Sequence, residues 1–353
     1  MQTFSTLMQE WLYGDQGYYR TAKIGTQGDF YTSVNASRCF GGTLAFYLLS
    51  LLEQGVLDLP LSVVEIGAGE GYLLQDVVLF LRDLSCGVLE HTAFLSVEPL
   101  NALATLQQQR LQKIQTNLIG VPSLEALRPH LRKSTFVYCN ELWDSFPCQV
   151  CQDSQMLYVD SFKPIWRPLS QEVLDFLSHT HPPEKIAHFK GCVPLTWEDY
   201  VKDLIPSLQQ SQKWVLVGFD YGQYGARGGV DLRAYTQHRV LDFADILANL
   251  EGYYQQVDLT YDIDFQLLET LFHKQGAHTL FYGTQSAALI KMGLTRLLEL
   301  LEQNTPFTLY SKEALKARSL ISPEGFGERF KGLILGSHSK SPKITNDSTE
   351  LYQ

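Results

Sequence analysis

Residues Val63-Val64-Glu65-Ile66-Gly67-Ala68-Gly69-Glu70-Gly71 form the most informative stretch of the chain. A short apolar run ends in an acid and breaks into three glycines at alternate positions, and apolar residues follow at helical spacing over 72–81. Glycine permits a positive φ and lets a ligand approach the backbone without a Cβ in the way. The following helix begins with unpaired N–H groups. The pattern predicts a strand, a glycine turn and a helix that hold a nucleotide-like ligand over Gly67–Gly71, with a ligand-free corner as the alternative.

The spacing of these glycines separates the possible nucleotide ligands. The dinucleotide fingerprint is G-x-G-x-x-G with an acid about 20 residues further on, whereas here the third glycine comes one residue early. The phosphate loop G-x-x-x-x-G-K-[ST] is absent. A strand with an acid before G-x-G-x-G instead resembles class I S-adenosylmethionine-dependent methyltransferases. A second predicted strand ends at Glu98, where such enzymes carry an acid that accepts hydrogen bonds from both ribose hydroxyls. The resemblance therefore implies S-adenosyl-L-methionine as the cofactor.

Predicted strands and helices alternate from 61 to 139, as a doubly wound parallel sheet requires. The predicted strands are 62–66, 92–97, 116–120, 134–139 and 213–220, and the predicted helices include 70–83, 99–112, 197–210 and 284–302. The fold class is predicted as α/β, a Rossmann-like class I methyltransferase sheet with an N-terminal helical lid and an inserted small α+β region. The predicted segments are 1–55 (helical lid), 56–143 (cofactor-binding core), 144–213 (insertion), 214–336 (rest of the core and a helical substrate-side region) and 337–353 (disordered tail).

Polar side chains follow several of the predicted strands. Glu65, Glu98 and the pair Asn140-Glu141 all fall at or beside carboxyl ends, and in an open α/β sheet the ligand crevice lies outside those ends. Taken alone, Asn140-Glu141 could equally be a turn that caps the next helix. The predicted cofactor-binding residues are Glu65, Gly67, Gly69, Gly71, Glu98, Asn140 and Tyr31.

Short motifs are spread over nearly the whole chain. They include Gly28-Asp29-Phe30-Tyr31-Thr32-Ser33, Val64-Glu65-Ile66-Gly67-x-Gly69-x-Gly71, Val97-Glu98-Pro99, Asn140-Glu141-x-x-Asp144-x-x-Pro147, Asp220-Tyr221-Gly222, Leu232-Arg233-Ala234-Tyr235, Asp258-Leu259-Thr260 and Gly327-Glu328. Together they resemble the MidA-like family of methyltransferases, whose mitochondrial members assist assembly of respiratory complex I. The resemblance implies methylation of an arginine on a protein partner, with a respiratory-complex subunit as one possible substrate.

On this resemblance, Glu141 and Asp144 are the candidate catalytic carboxylates, and Asp29 is a third. An arginine side chain stays protonated in proteins, and a carboxylate pair can orient it through bidentate hydrogen bonds. Asp144 could equally be a helix N-cap. Asp29 and Tyr31 could instead form a lid over the cofactor, and a structural salt bridge is at least as plausible for Arg233 as a contact to a peptide.

Several positions depart from the family pattern, among them Ala68, where the glycine turn commonly carries Pro. Val34-Asn35 stands where the family has Pro-Glu, Gly42 stands where it has Glu, and a histidine is expected near Asp262. These departures leave two other functions open. One is a methyltransferase that acts on a small molecule, and the other is a non-catalytic assembly or binding protein that retains the fold.

Composition and charge narrow the class of protein and its partners. The chain has 353 residues, 45% of them hydrophobic, and a net charge of −10. It has no Lys/Arg run, so no nucleic-acid partner is expected, and an acidic surface suits a basic peptide or protein. No apolar stretch approaches the roughly 18 residues of a membrane helix. The N-terminal residues 1–5 lack a basic or Arg-rich leader pattern, so a cytoplasmic location is expected.

The cysteines are expected to be reduced thiols. Six are present, at 39, 86, 139, 148, 151 and 192. Cys148 and Cys151 form one C-x-x-C without a second pair at zinc-site spacing. No metal site is therefore expected.

Overall fold

The computed structural model describes residues 1–21, 33–236 and 239–338. The strands are β1 (Gln2–Thr3), β2 (Leu61–Ile66), β3 (Thr92–Val97), β4 (Leu118–Val121), β5 (Ser134–Asn140), β6 (Gln149–Gln152), β7 (Gln155–Asp160), β8 (Lys163–Pro168), β9 (Lys190–Val193), β10 (Lys213–Gln223), β11 (Arg233–Thr236), β12 (Arg239–Leu241), β13 (Asp258–Thr260), β14 (Ile263–Asp264), β15 (His278–Thr284) and β16 (Phe330–Gly336). The α-helices are α1 (Phe4–Tyr13), α2 (Tyr18–Thr21), α3 (Ser33–Ala36), α4 (Cys39–Glu53), α5 (Tyr72–Leu84), α6 (Cys86–Glu90), α7 (Asn101–Lys113), α8 (Gln171–Leu177), α9 (Pro183–Ile186), α10 (Thr196–Leu208), α11 (Phe243–Ala248), α12 (Leu250–Tyr253), α13 (Phe265–Lys274), α14 (Gln285–Lys291), α15 (Leu294–Asn304) and α16 (Phe307–Ile321). Short 3-10 turns cover Glu125–His130 and Trp143–Ser145.

The chain divides into two units, which we name by their sheets. The large-sheet unit comprises Tyr31–Asn140, Asp203–Asp220 and Gly276–Gln353. The small-sheet unit comprises Met1–Phe30, Glu141–Lys202 and Tyr221–Gln275. The segment boundaries predicted from the sequence stay a prediction, and residues 339–353 of the predicted tail lie outside the described residues.

The sheet of the large-sheet unit has the strand order β15-β16-β10-β5-β2-β3-β4. The pairs from β10 to β4 are parallel, and β15 pairs with β16 in the antiparallel sense. The chain runs outward from β2 to β4 and resumes at β5 on the other side of β2, so the strand order reverses between β2 and β5. Ligands bind at such a reversal in open α/β sheets. The predicted α/β, Rossmann-like fold class is confirmed.

The core of this unit explains its apolar strands. Every residue of β2 is buried, as expected for a parallel strand that is covered on both faces. Helix α4 is buried along Cys39–Leu51, and its two glycines allow close packing. A Cβ on Gly41 would lie 2.7 Å from the Asp76 Cβ of α5, and one on Gly42 would lie 2.8 Å from the Phe80 ring. Position 42, where the family pattern has an acid, is therefore a core position in this chain.

The small-sheet unit contains two antiparallel sheets. One has the order β1-β7-β6-β9 with β8 on β7, and the other has the order β12-β11-β13. Strand β14 pairs in parallel with the end of β10, where Gly222 is opposite Ile263. Within the described ranges, no helix is long and apolar enough to cross a membrane.

Two predicted elements differ from the structure. The predicted helical stretch 284–302 is two helices, α14 and α15, because Gly293 has a φ of +99°, which a continuous α-helix does not adopt. The predicted strand at 116–120 begins only at Leu118. The first difference is an interior break at a glycine, and the second lies at an element boundary, where hydrophobic periodicity carries least information.

We expect Gly41→Ala to lower the free energy of unfolding by about 1–3 kcal/mol, because the new methyl group overpacks the contact between α4 and α5. The matched control is Gly87→Ala in α6, where a Cβ meets nothing within 4 Å. That change should raise the free energy of unfolding by about 0.5–1 kcal/mol. Urea denaturation followed by circular dichroism measures both, and effects of the same sign would contradict the packing argument.

Candidate functional site

The glycine turn between β2 and α5 has the backbone that the sequence predicts. Gly67, Gly69 and Gly71 have φ values of +69°, +51° and +81°, in the region that other L-residues rarely adopt. The Gly71 amide donates to the Ala68 carbonyl at 2.7 Å, and Gly71 is the N-cap of α5. A Cβ on Gly69 would meet nothing within 4 Å, so the turn has open space beside its central glycine.

Glu98 lies directly after β3 and is 6% exposed. Its Oε1 accepts a hydrogen bond from the Leu100 amide at 3.0 Å, and its Oε2 accepts one from Gln107 Nε2 at 3.3 Å. Burial raises the pKa of Glu98 to about 7, although both of these hydrogen bonds lower it. A carboxylate has about four lone-pair sites, so this group can accept further hydrogen bonds from two ribose hydroxyls.

Two residues of α7 that the sequence analysis missed hold the glycine turn in place. Gln107 Nε2 also donates to the Gly69 carbonyl at 2.8 Å. Arg110 Nε donates to the Glu70 carbonyl at 2.7 Å, and its guanidinium carbon lies 3.4 Å from the Tyr72 ring centroid. In the sequence, only their spacing of three residues on the helix after Glu98 could have indicated a shared role. Helix α7 is largely polar, and no motif marks either residue.

Glu65, in β2, is 4% exposed. Burial raises its pKa to about 8, more than the nearby Tyr138 hydroxyl and Leu74 amide lower it. Within the described part of the chain, Glu65 Oε2 and the Ser96 hydroxyl are buried without a hydrogen-bond partner. Asn140 is the last residue of β5. Buried polar atoms that lack partners, together with open space at Gly69, fit a polar ligand at this end of the sheet.

The comparisons with known proteins identify that ligand. A family model described as "Putative S-adenosyl-L-methionine-dependent methyltransferase" matches residues 43–283. The chain belongs to this family. It is a methyltransferase, and S-adenosyl-L-methionine is its cofactor. The residues just described fit that cofactor, since Glu98 offers acceptors for ribose hydroxyls and the glycine turn allows close approach of the rest of the molecule.

Relatives and a solved structure agree with this family. "Protein arginine methyltransferase NDUFAF7, mitochondrial" from Xenopus laevis is 25% identical over 96% of this chain and 82% of the relative. The protein of that name from Homo sapiens is 24% identical over 92% of this chain and 77% of the relative. A crystal structure from Burkholderia thailandensis with bound S-adenosyl-homocysteine has a TM-score of 0.73 at 19% identity, covering 97% of this chain and 89% of that one. This likeness shows the fold.

The relatives also correct the expected location of the methyltransferase. Eight curated relatives match, and each is named as a mitochondrial protein. The expectation of a cytoplasmic protein is therefore wrong. That expectation rested on the composition of residues 1–5 alone.

Two of the predicted catalytic residues lie in the small-sheet unit. Glu141 is its first residue after β5 and has a φ of +51°, which is uncommon for a residue other than glycine. Asp144 is 4% exposed and lies inside the 3-10 turn Trp143–Ser145, so it is not the N-cap of a following α-helix. Asp29 and Tyr31 lie outside the described residues.

Side chains from distant parts of the unit fix the turn that carries Asp144. The Trp143 carbonyl accepts hydrogen bonds from the Tyr261 hydroxyl at 3.0 Å and from Trp197 Nε1 at 3.3 Å. The Ser145 carbonyl accepts one from the Tyr13 hydroxyl at 3.0 Å. These bonds hold the backbone on both sides of Asp144.

Asp144 interacts with a second buried acid, Asp258 of β13, which the sequence analysis did not single out. Burial raises the pKa of Asp144 to about 6, while the Tyr221 hydroxyl and the charge of Arg233 lower it. Burial and the nearby Asp144 raise the pKa of Asp258 well above its ordinary range, although the Tyr19 hydroxyl donates to it at 2.9 Å.

We call Glu141, Asp144 and Asp258 the carboxylate cluster. Glu141 belongs to it because its charge also raises the pKa of Asp258. The signal for Asp258 was its place in the Asp-Leu-Thr motif, far along the chain from Glu141 and Asp144.

Strands β11 and β13 place further polar groups beside this cluster. Arg233 is opposite Thr260, and Tyr235 is opposite Asp258. Residues opposite each other in an antiparallel pair have side chains on the same face. The expected salt bridge of Arg233 is present, to Asp262, which also pairs with Arg227.

The cysteines of the C-x-x-C pair are buried in the structure. Cys148 and Cys151 are buried free thiols, and burial raises the pKa of Cys151 well above its ordinary value. Among residues 1–21, 33–236 and 239–338, no group of three or more His, Cys, Asp or Glu side chains is placed to hold a metal ion.

We expect Gly69→Ala to weaken binding of S-adenosylhomocysteine by about tenfold or more, because a Cβ would enter the open space beside the turn. The matched control is Gly55→Ala, whose glycine has a φ of +67° and also has nothing within 4 Å of a built Cβ. Both changes should lower the free energy of unfolding by about 1–2 kcal/mol. Calorimetric titration should show that only the Gly69 variant loses affinity, and equal affinities would contradict this placement of the cofactor.

We expect the affinity for S-adenosylhomocysteine to fall as the pH drops below 7. Glu98, with its pKa raised to about 7, then takes up a proton and loses an acceptor for the ribose. Uptake of one proton makes binding at pH 6 about tenfold weaker than at pH 8. Titration calorimetry at pH 6, 7 and 8 measures this. Glu98→Gln should bind weakly and with little pH dependence, and a slope that survives in this variant would assign the proton to another group, such as Glu65.

Proposed function

We propose that this methyltransferase transfers a methyl group to a guanidinium nitrogen of an arginine side chain in a protein. The observation that carries the proposal is the carboxylate cluster of the small-sheet unit, where Asp144 and Asp258 are both buried and interact. The names of the curated relatives support it, since each is called a protein arginine methyltransferase at 22–25% identity.

The electrostatics of the cluster favour a cationic acceptor. Burial is the main cause of the raised pKa of both Asp144 and Asp258, and the charge of Asp144 raises the pKa of Asp258 further. Arg233, whose charge lowers the pKa of Asp144, is already paired with Asp262. A guanidinium brings a permanent positive charge and a planar set of N–H donors, so its binding would allow both acids to ionise.

The chain's own residues would then orient the acceptor and accept a proton. S-adenosyl-L-methionine supplies the methyl group, and the electron pair of the broken carbon–sulfur bond stays on sulfur. Glu141 and Asp144 would hold the guanidinium by charge-assisted hydrogen bonds, with Asp258 as a third acid. The attacking nitrogen gains a methyl group and loses one proton, which a carboxylate of the cluster accepts and passes to water. Asp29 remains a further candidate from the sequence.

The proposed partner is a protein, and we propose a respiratory-complex subunit as its class. Support for the second step comes from the resemblance to the MidA-like family, whose mitochondrial members assist assembly of respiratory complex I. The net charge of −10 suits a basic segment of such a subunit.

We expect Asp144→Asn and Asp258→Asn each to lower kcat/KM for methyl transfer by about 100-fold, because the acceptor loses a charge that orients it. Affinity for S-adenosylhomocysteine should be unchanged. The assay uses methyl-labelled S-adenosylmethionine and protein extract from cells that lack this chain, followed by acid hydrolysis and identification of the labelled amino acid.

The matched control is Asp199→Asn, an exposed acid of the same unit, which should leave the rate unchanged. Recovery of the label in methylated arginine would support the proposal. Recovery only in small molecules, or an unchanged rate in both cluster variants, would refute it.

A further inference from the structure

A cleft of the small-sheet unit combines aromatic and acidic side chains, and no step proposed above uses it. Phe189, Trp197 and Tyr261 line it together with Asp231 and Asp262, the basic side chains of His181 and Lys190 also reach it, and the loop 225–229 forms part of its wall. We call it the acidic cleft after its two aspartates. The Trp197 and Tyr261 ring centroids are 6.4 Å apart. Aromatic rings beside carboxylates are the surroundings that favour a guanidinium, which stacks on the rings and pairs with the acids.

An arginine of the chain itself occupies this acidic cleft. Arg227 pairs with Asp262 Oδ2, while Arg233 pairs with Asp262 Oδ1. The side chain of Asp262 is 3% exposed, and that of Arg227 is 43% exposed. Arg233 alone balances the charge of Asp262, so Arg227 is a second cation. Asp231 is the acid whose charge this second cation balances. Burial and the charge of Asp262 raise the pKa of Asp231 to about 6, and the charges of Arg233 and Arg227 lower it.

The loop that carries Arg227 is rich in glycine and is held at its first residue, where the Gly225 carbonyl accepts a hydrogen bond from Gln223 Nε2 at 3.3 Å. Gly225 and Gly228 have φ values of +86° and +75°. A Cβ built on Gly228 or Gly229 would meet nothing within 4 Å. Arg227 is the exposed end of this ion pair, at 43%, whereas Asp262 is 3% exposed and keeps Arg233 as a partner when Arg227 leaves. Another guanidinium can displace Arg227.

We infer that the acidic cleft binds the side chain of an arginine in the protein substrate, and that Arg227 is an internal stand-in for it. The inference rests on the proposed protein-arginine substrate and adds a second point of recognition, whose Arg233 and Asp262 also act electrostatically on Asp144 of the carboxylate cluster. The loop sequence Gly225-Ala226-Arg227-Gly228-Gly229 indicates the ligand class, an arginine among small residues. A substrate arginine can enter only those molecules in which Arg227 has left the cleft. The apparent affinity for the substrate is therefore the intrinsic affinity multiplied by the fraction of molecules with an open cleft.

The test measures binding of the peptide acetyl-Gly-Ala-Arg-Gly-Gly-amide to the full chain by titration calorimetry, without any methyl donor. We expect Arg227→Ala to bind this peptide about fivefold more tightly than the wild type, because the internal competitor is gone. The matched control is Arg239→Ala, which removes an exposed arginine of the same unit and should bind like the wild type. A peptide with citrulline in place of arginine should not bind Arg227→Ala.

A second variant separates the cleft from the rest of the surface. Arg227→Ala combined with Asp262→Asn should lose the gain in affinity, with a thermal melt to show that it is folded. Equal affinity of the wild type and Arg227→Ala, or equal binding of the citrulline peptide, would overturn the inference. If that happens while labelled arginine is still formed, the proposed function stands without the cleft. If Arg227→Ala gains affinity but no methylated arginine forms, the cleft is an arginine site and the proposed reaction is refuted.

Discussion

Burial of carboxylates is the constraint on which both candidate sites depend. Glu65, Glu98, Asp144 and Asp258 are each at most 6% exposed, and desolvation is the main cause of the raised pKa of each. A buried carboxylate is stable as an anion only where hydrogen-bond donors or a cation replace water. In each site the protein supplies some of those partners, and a ligand can supply the rest.

The two units meet this constraint with different partners, and the difference indicates what each can bind. Glu98 receives only neutral donors, the Leu100 amide and Gln107, and neutral ribose hydroxyls add to such a set without a change of charge. Asp144 and Asp258 are both buried and receive two tyrosine hydroxyls and the charge of one arginine that is already paired. A cation adds most to that set, because it removes the repulsion between the acids.

The sequence predicted what depends on neighbours along the chain and missed what depends on packing. The strand, turn and helix around Gly67–Gly71 follow from local glycine positions and periodicity, and they are present. Gln107 and Asp258 matter only because folding brings α7 to the turn and β13 to Asp144, and no local pattern reports such contacts. Gly42 is an error in the other direction. The sequence analysis treated the missing acid at this position as a possible change in the functional site, but the position packs against Phe80 in the core.

The departure at position 262 concerns the substrate side of the enzyme rather than the cofactor side. The family pattern leads to a histidine near this position, and a histidine is largely neutral at pH 7. A neutral imidazole cannot balance the charges of two guanidiniums, whereas Asp262 pairs with both Arg227 and Arg233. The aspartate therefore gives this chain a negative charge in the acidic cleft, within the small-sheet unit, and leaves Glu98 and the glycine turn of the large-sheet unit unaltered. If the acidic cleft binds a substrate arginine as proposed, the aspartate at position 262 would alter which side chains the enzyme recognises, without any change to Glu98 or the glycine turn.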